Sequence, residues 1–327
     1  MIPFEYVSAA GFQSAIESVH LDPAASFLAG GTTLIDLMKL DVMSPRKLVD
    51  VNGLAFDSIE VLNESVQVGA NVRNSDLAAH LKIRESFPVL SEALLAGASA
   101  QIRNMASTAG NILQRTRCPY FYNTDFACNK RVQGSGCAAI SGYNRMNAVL
   151  GTSEKCIATH PSDMCVAMAA LGAIIHVQGP KGLRTIPFAD FHLLPGETPH
   201  IEHNLKQDEL ITHVDIPALP FAAKSHYLKV RDRASYEFAL TSAAVALDIQ
   251  NGTIKGARIA LGGVGTKPWR SLEAEKALIG APANAQNYRA AADAAMAGAK
   301  PYKDNAFKVE LAKRTLVRAL TIVGRMS

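Results

Sequence analysis

Nothing in this chain is long and apolar enough to cross a bilayer. The longest apolar run, Met164 to Val177, is broken by Gly172 and His176 and falls short of the roughly 20 residues that a spanning helix needs. An excess of one charge is also missing. The 33 Lys and Arg against 29 Asp and Glu leave a net charge of +4, with no basic run interleaved with aromatics, which argues against nucleic acid or a membrane surface as partner. The opening residues Met1-Ile2-Pro3-Phe4-Glu5-Tyr6 have neither the basic nor the apolar region of a signal peptide. There is no G-x-S-x-G elbow and no H-E-x-x-H helix, and neither G-x-G-x-x-G nor a Walker GK[ST] occurs, so the common hydrolase, zincin, Rossmann and P-loop readings fall away. Internal repeats and low-complexity tracts are absent too. Cysteine is present, but five in 327 residues is an odd number and does not describe a disulfide-stapled secreted fold.

What is there is ordinary globular composition, 48% apolar and 19% charged, in a length that suits about two domains of roughly 150 residues. The N-terminal pattern reads strand, helix, strand: Ser26-Phe27-Leu28-Ala29 runs into Gly30-Gly31, Thr32-Thr33 supplies a helix N-cap, and Lys47 to Val51 closes a βαβ unit. Alternation around Asn63-Glu64-Ser65, Gly179-Pro180 and Asn251-Gly252 predicts three hairpins, the last on a strong two-residue turn. Helices are expected at Ser75–Leu81, Val89–Ala98 and Pro161–Leu171, with an amphipathic one from Phe307 to Met326. Composition restarts after Pro217 and Pro220, which sets a boundary near residue 220. Between Gln114 and Gly151 periodicity disappears, and a loop of that length inside a compact domain implies that something else orders it.

Three motifs could carry chemistry. The turn Phe27 to Leu34 is either a plain strand-to-helix connection or a pyrophosphate cradle, since tandem glycines expose backbone N–H groups and let a phosphate approach the main chain. Ser107-Thr108-Ala109-Gly110-Asn111-Ile112 offers hydroxyls and an amide suited to phosphate or ribityl oxygens, or to an ordinary turn. Cys118, Cys128, Cys137 and Cys156 form the third, with 9, 8 and 18 residues between successive members. Four thiolates satisfy zinc or a cubane iron–sulfur cluster, but zinc sites usually draw two ligands from a C-x2-4-C knuckle, and wide single spacings suit a chain wrapped around a larger object. Cys165, on an apolar helical stretch, reads as core. His200-Ile201-Glu202-His203 reads as a solvent-exposed loop. A Cys118–His160 nucleophilic pair would make a cysteine-dependent hydrolase but leaves three cysteines without a role.

Taken together, Leu28 to Thr32, Ser107 to Ile112, Pro161-Ser162-Asp163, Glu209-Leu210-Ile211 and Lys229 resemble, in order and spacing, the FAD-binding subunit of the xanthine dehydrogenase and molybdenum hydroxylase family, over nearly the whole chain. The cysteine segment is similar to an insertion carried by only part of that family, members with an extra [4Fe-4S] cluster. The resemblance implies an α+β fold: a two-part FAD-binding module over residues 1–220, carrying a [4Fe-4S] loop at about 114–157, then a small C-terminal α+β domain of antiparallel sheet and helices over 221–327. It implies that Ser26, Phe27, Leu28, Ala29, Gly30, Gly31, Thr32, Thr33 and Leu34 wrap the FAD pyrophosphate. Ser107, Thr108, Gly110 and Asn111 would line the ribityl and phosphate region, Asp163 would accept from FAD hydroxyls, and Ile211 and Lys229 would lie by the flavin. Thr33 and Ala109 depart from the family, which often has an acidic residue and a glycine there.

The same resemblance implies metal ligands at Cys118, Cys128, Cys137 and Cys156. Its partners would be a [2Fe-2S] subunit and a molybdopterin subunit that oxidises aldehydes, with an external electron acceptor and no insertion into a membrane. Location would be periplasmic, by export alongside a signal-bearing partner, with the cytoplasm as the alternative. The competing reading is a zinc-stabilised nucleotide-binding module.

Overall fold

The computed structural model describes residues 1–326. Twelve strands form three sheets in chain order. The first is a small parallel sheet of β1 (Glu5–Ser8), β2 (Ala25–Leu28) and β3 (Lys47–Asp50), with β3 in the middle. Helix Phe12–His20 packs Ala15 and Val19 onto it, in a minor core with Val49 and Val51. The second sheet joins β4 (Ile59–Val61), β5 (Ser65–Gly69), β6 (Ile174–Gly179), β7 (Gly182–Pro187) and β8 (Leu210–Pro217) in the order β4-β5-β8-β6-β7, all antiparallel. Its inner face, with Val66, Val68, Ile175, Val177, Val214 and Ile216, covers helices Pro88–Ala96 and Asp163–Leu171 in the largest core. Cys165 sits there fully buried, as its apolar helical context predicts.

The third sheet is β9 (Ser225–Val230), β10 (Thr241–Gln250), β11 (Thr253–Gly262) and β12 (Trp269–Arg270), ordered β12-β11-β10-β9. The β10–β11 turn places Asn251 and Gly252 at φ 51° and 74°, the twist that a two-residue hairpin needs. Helices Leu272–Leu278 and Phe307–Val323 pack on this sheet, and Ala285–Met296 packs across those two helices in the same core. The fold is thus α+β throughout, with a separate antiparallel sheet and its own core in the C-terminal part.

Three local details differ from the sequence expectation. The helix expected over Ser75–Leu81 is two, Asn74–Ala79 and Leu81–Ser86, parted at His80, whose ψ of 126° is extended. Thr33 is the N-cap of Leu34–Lys39, but its hydroxyl makes no capping bond. Strands β9 and β12 had no clear signal, because each is defined by pairing with a neighbour rather than by its own alternation.

The aperiodic stretch is held from the C-terminal side. Lys300 N–H donates to the Val149 carbonyl at 2.7 Å, Asp304 N–H to Asn144 Oδ1 at 3.0 Å, and Asn305 Nδ2 to the Asn147 carbonyl at 3.2 Å. Lys308, fully buried, donates its ammonium to the carbonyls of Met146, Asn147 and Gly263 at 3.0, 3.1 and 2.7 Å. Burial pushes its pKa down to about 7, and Arg145 adds to the effect. Lys308→Met would leave those carbonyls short of a donor, so we expect a loss of about 2–4 kcal/mol in urea unfolding; an unchanged midpoint would contradict this account.

Candidate functional site

The first two sheets do not pack flush. Between them lies a cavity of about 930 Å³, walled on one side by residues 23–34 and on the other by Ser107, Gly110, Ile211 and the segment 192–207. All nine residues from Ser26 to Leu34 line it, as do Ser107, Gly110 and Ile211. A second cavity of about 460 Å³ shares Thr32, Thr33, Gly110 and Gln114 with the first and adds Asn111, Asp163 and Lys229. Fifteen of the sixteen expected flavin contacts therefore line one or other of these two adjoining cavities. Thr108 is the exception: it is fully buried, and its hydroxyl donates to the Val72 carbonyl at 3.0 Å.

The local backbone explains the glycines. Gly31 turns the chain at φ +72°, a left-handed conformation that side chains disfavour. At Gly30 a Cβ would lie 1.9 Å from the Met105 carbonyl oxygen, so the two loops meet there back to back. The amides of Gly31, Thr32 and Thr33 donate to no protein group among the described residues, which leaves them for a ligand's oxygens. Ser107 caps the helix Thr108–Ile112 by accepting from Gly110 N–H at 3.2 Å. Asp163 is ordered from both sides: Oδ1 accepts from Tyr227 OH at 2.6 Å and Oδ2 from Lys229 Nζ at 2.8 Å. Each carboxylate oxygen keeps a further lone pair for a hydroxyl donor.

The rear of the larger cavity was not foreseen. The loop expected to be solvent-exposed folds inward, through an isolated bridge between His192 and His203. Buried ring nitrogens of His160, His192, His200 and His203 have no protein partner, and all four residues line the cavity. These nitrogens have almost no accessible surface, so they stand behind the cavity wall; the polar groups that fit FAD are the free amides of Gly31, Thr32 and Thr33 and the carboxylate of Asp163. His160 and His192 meet edge-on at 4.5 Å. Burial holds His192 down at about 4, and burial with His192 and Lys130 nearby holds His160 well below its usual value.

A pH dependence follows. From its ordinary 6.5 down to about 4, an unfolded chain binds a proton on His192 that the folded chain refuses. Stability should therefore fall as pH drops through that window and level off below it, by about 3 kcal/mol from this residue. Urea midpoints between pH 7 and 4, in wild type and His192→Gln, will show a shallower slope in the variant; equal slopes would remove His192 from this role.

Glu202, in the same segment, accepts from Arg115 at 2.6 Å and faces Lys130 at 3.1 Å. Burial alone would raise its pKa, but Lys130 and Arg115 outweigh that and hold it below the usual carboxylate range. Lys130 also lies within electrostatic reach of Cys156, so this bridge stands between the cavity and the cysteine loop.

Within that loop Cys118, Cys128 and Cys156 are buried and Cys137 half-buried, in a small core of their own with Phe121 and Ile157. The thiols couple in a closed ring of pairs, Cys118 with Cys128, Cys128 with Cys137, Cys137 with Cys156 and Cys156 with Cys118. Among the described residues no three of these sulfurs come within 4.8 Å of one another. Tetrahedral zinc, with Zn–S of about 2.3 Å, would draw its sulfurs to about 3.8 Å apart. Three of the sulfurs would have to close up to bind a single zinc ion. Polar hydrogens point at the sulfurs: Asn147 Nδ2 at 3.5 Å from Cys118 Sγ, and Ala158 N–H at 3.4 Å from Cys156 Sγ. Burial pushes the Cys156 thiol up to about 12, so it ionises only against a metal. Burial likewise raises Cys118, whose side-chain partner is Asn147 rather than His160, which leaves the cysteine hydrolase without a nucleophile–base pair.

Two family models match this chain: "FAD binding domain in molybdopterin dehydrogenase" over residues 2–219 and "CO dehydrogenase flavoprotein C-terminal domain" over residues 226–323. The chain belongs to the FAD-binding subunits of the molybdenum hydroxylase family. It is 53% identical over 300 residues, 91% of each chain, to the aldehyde oxidoreductase FAD-binding subunit PaoB of Escherichia coli (strain K12). It is 26% identical over 329 residues to the carbon monoxide dehydrogenase medium chain of Hydrogenophaga pseudoflava, covering 98% of this chain and 97% of the other. Among solved structures, a reconstituted CO dehydrogenase from Oligotropha carboxidovorans superposes with a TM-score of 0.78 at 25% identity over all of both chains. As a family member the chain is an FAD-binding oxidoreductase subunit. Among the described residues no helix is long and apolar enough to cross a membrane.

Proposed function

We propose that this chain is the electron-exit subunit of a molybdenum-containing aldehyde oxidoreductase, taking electrons from partner [2Fe-2S] centres and passing them through FAD to an external acceptor while a partner molybdopterin subunit oxidises aldehydes to carboxylic acids. The observation that carries this reading is the joining of Ser26–Leu34, Ser107, Gly110 and Ile211, distant in sequence, on one cavity that the free amides of Gly31, Thr32 and Thr33 adjoin. FAD, when bound, supplies the capacity to gain electrons singly and release them in pairs. The chain's own residues do the rest. Gly31, Thr32 and Thr33 offer free amides to the pyrophosphate, Asp163, fixed by Tyr227 and Lys229, accepts from hydroxyls, and the buried histidines exclude bulk water from the rear wall.

Cys118, Cys128, Cys137 and Cys156 would hold a [4Fe-4S] cluster. The open spacing of the sulfurs, their donated N–H groups and the cation Lys130 nearby support a wide anionic body rather than one ion. The likeness to the Escherichia coli aldehyde oxidoreductase subunit supports the aldehyde substrate class. The sequence resemblance supports a periplasmic location reached with a signal-bearing partner. Flavin and metal analysis of the purified protein tests the reading: we expect yellow-brown protein with one FAD and about four iron and four acid-labile sulfide per chain. Protein without FAD would overturn the proposal, and FAD with zinc in place of iron would overturn the cluster alone.

A further inference from the structure

On the outer face of the second sheet, away from the cleft, three metal-ligating side chains converge. Along β6 and β8 burial alternates: Ile175, Val177, Val214 and Ile216 face the core, while His176, His213 and Asp215 lie half-buried on the other side. His176 is the register partner of His213, and Asp215 follows two residues on, on the same face. His176 Nε2 lies 2.9 Å from Asp215 Oδ2. The two imidazoles stack at 4.0 Å, and one ligand atom from each of the three residues lies within 4.8 Å of the others.

Two features show that the group is oriented rather than merely adjacent. First, the register shifts between His176 and Val177, which pair with His213 and Ile211 and leave Thr212 as the extra residue of a β-bulge. Bulges re-aim side chains, and this one brings Thr212 Oγ1 to 3.0 Å from His213 Nδ1, fixing the ring and leaving Nε2 as its free nitrogen. Secondly, Gln67 on β5 donates Nε2 to Asp215 Oδ1 at 3.3 Å, which leaves Oδ2 toward His176. Metal-binding imidazoles and carboxylates are held by hydrogen bonds of this kind on their non-ligating atoms.

We propose that His176 Nε2, His213 Nε2 and an Asp215 carboxylate oxygen bind one Zn2+ ion, with water in the fourth position. Two imidazoles and one carboxylate suit a borderline divalent ion over Ca2+ or Mg2+, which favour all-oxygen shells. Zn–N and Zn–O bonds of about 2.0–2.1 Å at the tetrahedral angle place ligand atoms about 3.4 Å apart. The existing His176–Asp215 pair opens by a few tenths of an ångström to reach that distance, and the His213 ring closes on the ion by a turn about its Nδ1 hydrogen bond to Thr212. Bound there, the ion staples β6 to β8, whose first residues reach the cleft at Leu210 and Ile211. The site is independent of the flavin and of the cysteines.

The test uses the whole purified protein, stripped with chelator and dialysed against Zn2+. Wild type should retain one zinc per chain more than His213→Ala or Asp215→Asn, prepared alike so that zinc on the cysteines cancels. Thr212→Val, which keeps all three ligands, should weaken binding about 10- to 100-fold. X-ray absorption of the loaded protein should show a nitrogen and oxygen shell at about 2.0–2.1 Å. Equal zinc in wild type and both ligand variants, or a shell of sulfur alone, would overturn the proposal and leave a hydrogen-bonded His–Asp pair, with the flavin reading untouched.

Discussion

Gly30→Ala protein should leave purification folded but largely without flavin. The added methyl meets the Met105 carbonyl oxygen at 1.9 Å and its carbon at 2.8 Å, both backbone atoms that cannot swing aside. Arg73 Nη1 donates to that same carbonyl at 2.6 Å, which pins it further. One of the two loops must retreat, and they are the loops that present Ser26–Leu34 and Ser107–Asn111 to the cleft. Overpacking of this kind costs about 1–3 kcal/mol, and directed at the binding loops it weakens FAD about 5- to 150-fold. Gly53→Ala is the control, because a Cβ there has nothing within 4 Å. Flavin absorbance per chain and the FAD dissociation constant decide the matter. A Gly30→Ala protein with wild-type affinity would mean that the back-to-back contact does not set the shape of the cleft.

Cys137→Ser and Cys156→Ser should each lose essentially all iron and sulfide and keep FAD. The cysteines share a small core with Phe121 and Ile157 that meets the flavin cleft only through Leu37 and Met43, and none of the four thiols lines the larger cavity. Cys137 is the more exposed of the two, so its serine variant disturbs packing least. Without its cluster the loop 117–157 should become the first site of limited proteolysis, since buried thiols and two four-residue helices are a poor core. Cys165→Ser is the contrasting case: it lies on the helix Asp163–Leu171, away from the ring, and should leave the iron content unchanged. Full iron in both ring variants would dissolve the four-cysteine assignment.

The parts of this molecule that a linear reading reaches are those whose cause is local. Asn251-Gly252 between alternating strands can do little but turn, and the hairpins β4–β5 and β6–β7 announce themselves in the same way. The division of the cysteines into four and one was legible because Cys165 stands in a helical apolar run and the others do not. What escaped has non-local causes. His200, Glu202 and His203 look like surface residues beside Pro195 and Pro199, and only the bridge from His192 to His203 carries them under the cleft. Thr108 carries a hydroxyl as suitable as that of Ser107, yet the helix that Ser107 caps turns it toward Val72. The pairing of His176 with His213 depends on a bulge that no local pattern announces.

The grip of residues 300–308 on the segment 144–149 also bears on the order of assembly. The backbone that presents Asn147 to Cys118 gains its partners Lys300, Asp304, Asn305 and Lys308 only after some 150 further residues have been synthesised. A nascent chain paused just after Cys156 holds all four thiols but not the frame that spaces them. The proposed cluster would therefore load onto the released chain, since a ribosome-bound fragment would offer four loose thiols in place of a site.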